Sequence, residues 1–194
     1  MRLRKPRIEP LLMEQLDEAQ REALAPFADH NNKVGGGRVL NIFRTLAHSP
    51  KALTAFIGWG NYIMSRRNSL DAREREIVIL RTGWLCKSGY EFVQHTRIGK
   101  ACGLSEADIA RIKLGAEADG WSEREAAMLR AADELVANHH VSQATWDALD
   151  DLGDRGRMDL VMTVGQYTQV SMMLNSFGIQ LEDGDEADPD LYAE

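Results

Sequence analysis

The sequence predicts an all-α protein, a single domain of about eight packed helices. Three observations carry the all-α reading: strand signals are weak throughout, helix punctuation is dense, and apolar residues recur at helical spacing in segments such as Leu53 to Ile63. A chain of 194 residues with 44% hydrophobic residues has material for one sizeable core and is not a disordered polymer.

Residues 13–29 read as a first helix ending near Pro26 or Asp29. The run Gly35-Gly36-Gly37 then reads as a flexible loop, since it lacks the Lys-Ser/Thr of a phosphate-binding loop. Val39 to Ala47 is a short apolar helix stopped by Ser49-Pro50, and Pro50 suits the first turn of a helix reaching about Arg66. Asp71-x-x-Glu74 has the form of a capping box and opens a helix to about Leu85; Ser88-x-x-Glu91 has the same form and opens one to Ala101. Ser105, Ser122 and Ser142 mark three further starts. The last long helix, about 157–176, is apolar nearly all round and Met-rich, which predicts burial on most sides.

Charge is unevenly placed. The formal net charge is −7, yet residues 182–194 hold seven acids and no base, and without them acids and bases balance at 23 each. The first seven residues hold four bases and no acid. The sequence therefore divides into an arm, first helix and Gly loop (1–37), a helical body (38–181) and an acidic tail (182–194). The arm is expected to pair with the tail, and the tail has too little apolar material to pack alone. Acidity argues against nucleic acid as a partner. No apolar run reaches membrane-spanning length, the basic start has no apolar segment of a secretory signal after it, and two cysteines, Cys86 and Cys102, exclude a disulfide framework; cytoplasmic residence is the expectation.

The chemistry-bearing segment is Asp71 to Leu104. Glu91 and His95 stand four apart on one helical face, with Ser88 one turn earlier at the helix start. A tight turn at Lys87 would fold this helix back on the preceding one and bring Glu76 near His95. His139-His140 and Glu91-x-x-x-His95 have metal-ligand chemistry but no further ligands beside them in sequence, so no metal is expected. Trp59, Tyr62, Trp84 and Phe92 are candidate pocket aromatics.

The segment resembles the carboxymuconolactone decarboxylase family, which includes the AhpD-like alkylhydroperoxidases. The pattern is an acid on one helix, a short turn, then a helix with CxxC and a histidine four residues beyond the second cysteine. Glu76 matches the acid and His95 the histidine, while Ser88 and Glu91 stand at the two cysteine positions and Tyr90 between them. A thiol peroxidase needs a thiolate and a resolving thiol there. The resemblance, extending over about 38–181, thus points to a non-redox branch: a lyase needing no cofactor, decarboxylating a small anionic substrate such as a carboxylated lactone from aromatic-compound degradation, and assembled as a homotrimer or homohexamer. On this reading His95 moves the proton, Glu76 and Glu91 tune it, and Arg81, Ser88 and Tyr90 hold substrate, the last two through the helix N-terminus. Two alternatives remain open at this point: a peroxidase using lone Cys86 with an external thiol, and a non-catalytic binding or assembly protein.

Overall fold

A computed structural model describes residues 3–28 and 38–192; the Gly35–Gly37 loop and Arg2 of the basic arm lie outside them. Among the described residues there are nine α-helices and no strand: α1 (Glu18–Leu24), α2 (Asn41–Leu46), α3 (Pro50–Met64), α4 (Ala72–Leu85), α5 (Gly89–Ala101), α6 (Glu106–Leu114), α7 (Glu123–Asn138), α8 (Gln143–Ala148) and α9 (Gly153–Phe177). The first predicted helix is broken into a 3₁₀ turn at Met13–Gln15, α1, and a second 3₁₀ turn at Ala25–Phe27 carrying Pro26. Proline cannot donate the interior hydrogen bond, so the helix tightens and stops there.

Most starts follow the sequence signals. Asp71, Ser105 and Ser122 each accept a backbone N–H of the first turn while the third helical residue reaches back, completing capping boxes with Glu74, Asp108 and Glu125. Ser88 does not behave this way. It is the N-cap of α5 but makes no capping hydrogen bond, and Glu91 turns away from the helix end into the interior.

α4 is the hub. Residues 75–83 are all buried, because α5, α6, α7 and α9 pack around it. Lys87 takes a left-handed conformation (φ 52°), and the N–H of Ser88 donates to the Gly83 carbonyl at 2.9 Å. That single residue reverses the chain, so α5 runs antiparallel along α4. α9 closes the bundle over α4, α5 and α3. It is not covered all round, however: Met158 and Met172 on its outer face are 55% and 60% exposed.

The acidic tail packs on the body. Leu191 is fully buried, and Lys113 of α6 is paired with Asp188 and Asp190. Asp185 is paired with Arg97 and Arg38. Among the described residues the tail's paired cations are on the body, and in the arm Arg7 donates to the Ser176 carbonyl.

Candidate active site

The reversal at Lys87 sets His95 against Glu76. Nδ1 of His95 lies 2.8 Å from Oε2 of Glu76, which is wholly buried, and the imidazole stands edge-on to the Tyr167 ring at 4.7 Å between centroids. An ionised carboxylate only accepts, so it holds the proton on Nδ1 and leaves Nε2 as the working nitrogen.

His95 borders a cavity of about 440 Å³ between α2, α3, α5 and α9. Its wall is mostly apolar. Phe27, Phe43, Phe56 and Tyr167 supply rings, and Glu91, Gln94, His95 and Gln166 supply polar groups. Among the described residues no Lys or Arg lines it. The described lining residues with ionisable side chains are His95, Glu91, Tyr90 and Tyr167.

Glu91 is the unusual group. Its side chain accepts from the Ser171 hydroxyl at 3.1 Å through Oε2, while Oε1 has no hydrogen-bond partner. Burial pushes this carboxyl well above the usual range; the Ser171 hydrogen bond opposes the shift, and the negative charge of Glu76 adds to it. Burial thus favours the protonated form of Glu91 over the carboxylate. Gly83 makes the room: a Cβ there would sit 2.9 Å from Glu91 Oε1.

Of the residues predicted for the site, the fold brings Glu76, Glu91 and His95 together and places Tyr90 in the cavity wall. Arg81 is elsewhere. Its guanidinium makes two hydrogen bonds to Asp133 on α7 and donates to the carbonyls of Ile112 and Lys113, closing the C-terminal end of α6. Residues 76 and 81 are five apart, about 140° around a helix, so they cannot share a face. Nor does the α5 N-terminus stand open as an anion site. The Gly89 N–H donates to the Tyr192 hydroxyl at 3.1 Å, and the Ser88 hydroxyl is buried without a partner. Trp59, Tyr62, Trp84 and Phe92 do not line the cavity.

Missed in the sequence were Gln94, Gln166 and Ser171. The last two are buried polar positions interrupting the inward face of an apolar helix, the signal by which they were findable. Cys86 and Cys102 do not line the cavity. No group of three or more His, Cys, Asp or Glu placed to hold a metal ion occurs among the described residues.

Residues 50–134 match the carboxymuconolactone decarboxylase family. That span covers α3 to most of α7 and contains Glu76, Glu91 and His95. Solved structures extend the likeness across the chain. An alkylhydroperoxidase AhpD core, an uncharacterized peroxidase-related protein from Ralstonia eutropha, matches with TM-score 0.77 at 25% identity over 92% of this chain and 93% of its own. An uncharacterized peroxidase-related protein from Silicibacter matches with TM-score 0.76 at 17% identity over 99% of this chain and 98% of its own. A debrominase solved in complex with 2,3,4-tribromopyrrole matches with TM-score 0.74 at 14% identity over 91% of each chain. No curated protein matches in sequence. The fold is thus AhpD-like and all-helical.

Proposed function

We propose that this protein is a lyase of the decarboxylase type that works by acid–base chemistry of its own side chains on a small, largely apolar ring compound bearing one carboxylate, such as a carboxylated lactone. The observation that carries the reading is the cavity's polar end: His95 held by Glu76 through Nδ1, beside a Glu91 whose burial favours its protonated form, in a mostly apolar wall.

The chemistry follows from that arrangement. A substrate carboxylate entering the cavity loses its hydration, and the described lining offers it no Lys or Arg. Departure as CO₂ disperses this charge into the unsaturated ring as an enolate-like carbanion. Glu91 donates a hydrogen bond to the oxygen that gains charge. Nε2 of protonated His95 then delivers its proton to carbon, leaving a neutral imidazole that solvent reprotonates. Ser88 and Glu91 occupy the positions of the redox cysteines in the resemblance, which supports a non-redox branch. The debrominase neighbour, solved with a small flat ring, supports a ring-shaped ligand.

The protein is proposed to act as a homotrimer or homohexamer. Met158 and Met172, exposed on the outer face of α9, support subunit contact there.

A panel of carboxylated lactones assayed for CO₂ release tests the reading. Turnover by wild type that survives in a Cys86→Ser/Cys102→Ser double variant is the expected result. Peroxide consumption with dithiothreitol that is lost in that double variant, with no CO₂ release from the panel, would overturn it in favour of a thiol peroxidase.

A further inference from the structure

The tail, unpromising by composition, is built into the cavity wall. Glu182 is only 6% exposed, and its Oε1 accepts two hydrogen bonds: from the Tyr90 hydroxyl at 2.6 Å and from the Asn41 backbone N–H at 2.7 Å. Tyr90 lines the cavity, and Asn41 begins α2, whose flanking residues Leu40, Ile42 and Phe43 line it too. One turn along α5, Gln94, another lining residue, donates to Asp185 at 2.9 Å. Asp185 is itself gripped by both terminal nitrogens of Arg97, at 2.6 and 3.0 Å. Further out, Leu191 is buried, and the Tyr192 hydroxyl accepts from Gly89 and donates to the Lys87 carbonyl at 3.3 Å.

We propose that residues 182–192 form a strap that sets the shape of the cavity from behind, with Glu182 as a positioning residue acting through Tyr90 and α2. Glu182 joins two lining elements that are far apart in sequence by a single buried oxygen. Without it, the Tyr90 O–H and the Asn41 N–H both lose their acceptor in apolar surroundings, a costly arrangement that the wall relieves by moving. The buried hydroxyl of Tyr90 keeps its proton, since burial first and the charge of Glu182 second push it above its usual range, so the contact is a donated hydrogen bond to a carboxylate. The proposal rests on the cavity as ligand site, but not on which reaction occurs there.

The test uses the full chain and 2-naphthol, a neutral two-ring probe with one hydroxyl, titrated by its fluorescence. Amide hydrogen exchange is followed in parallel. Glu182→Ala is expected to weaken 2-naphthol binding about tenfold and to speed exchange at Asn41 by a similar factor, the loss of a charge-assisted hydrogen bond. Exchange in α7 should not change. Glu182→Gln keeps an acceptor oxygen and should recover most of both. Wild-type exchange at Asn41 in Glu182→Ala would overturn the strap. Faster exchange there with unchanged 2-naphthol affinity would overturn its hold on the cavity. Absence of 2-naphthol binding by wild type would count against the cavity as ligand site, while the exchange result would still decide the strap.

Discussion

Replacing Glu91 by Gln isolates one buried proton. The carboxyl is enclosed by α4, α5 and α9, and its folded-state affinity for a proton lies well above that of the unfolded chain, whose value is near 4.5. Above pH 4.5 the unfolded chain releases a proton that the folded protein keeps. Stability therefore declines as pH rises through this window, by up to about 1.4 kcal/mol per pH unit, until the raised folded-state value is reached. Between pH 4.5 and 6.5 the loss is at most about 2 kcal/mol, because the full slope is reached only above the unfolded-state value, and for a chain of this length that is at most about 4–8 °C in melting temperature. A Gln amide has the shape of the protonated acid, keeps an acceptor for Ser171, and has no proton to lose. Glu76 and His95 are unaltered in the variant. So are Asp108, Glu134, Asp159 and Asp185, whose lowered values make both proteins lose stability toward acid alike. Melting followed by circular dichroism at pH 4.5, 5.5 and 6.5 should show curves that nearly coincide at the lowest pH and separate in favour of Gln at the highest. Curves that stay parallel would refute the assignment of Glu91 as a neutral acid.

Two further expectations follow from where side chains sit. Arg81→Ala removes a bidentate partner of Asp133 and leaves two carbonyls at the end of α6 without a donor, so stability should fall by about 3 kcal/mol in urea denaturation while the affinity for 2-naphthol stays within twofold; a selective loss of affinity would restore Arg81 as a ligand anchor. Gly60 lies on α3 in the cavity lining, and a Cβ there would meet nothing within 4 Å. Gly60→Leu should accordingly raise stability by up to about 1 kcal/mol through helix propensity while filling the cavity and abolishing 2-naphthol binding, as read by paired melting and titration experiments.

Much of the fold was legible because its signals are local. Asp71, Ser105 and Ser122 with their reaching acids, Pro50 at a first turn and the reversal at Lys87 act within a few residues of themselves, and all appear where the sequence places them. The pairing of Glu76 with His95 was legible for the same reason, given two helices joined by one short turn. Ser88-x-x-Glu91 was not, because the same spacing serves a carboxylate that looks back to the helix end and one that looks inward. What decides is Gly83 and Ser171, on two other helices. Arg81 was misplaced by nearness in sequence, although 140° of helix separates it from Glu76. The tail's place was not legible for a related reason: its composition forbids packing alone, and Arg97, Arg38 and Lys113 on the body, together with Tyr90, supply what it lacks. The apolar stripe of α9 showed which residues are hydrophobic without showing which side of the helix meets solvent.

In the proposed reaction His95, oriented by Glu76, delivers a proton to carbon. Turnover of a carboxylated lactone in D₂O, read by NMR, tests it most directly. Wild type should release CO₂ and place one deuterium on the carbon that carried the carboxylate, and folded His95→Gln should lower that rate by about 10²–10⁴. Undiminished release and labelling by His95→Gln would contradict the claim.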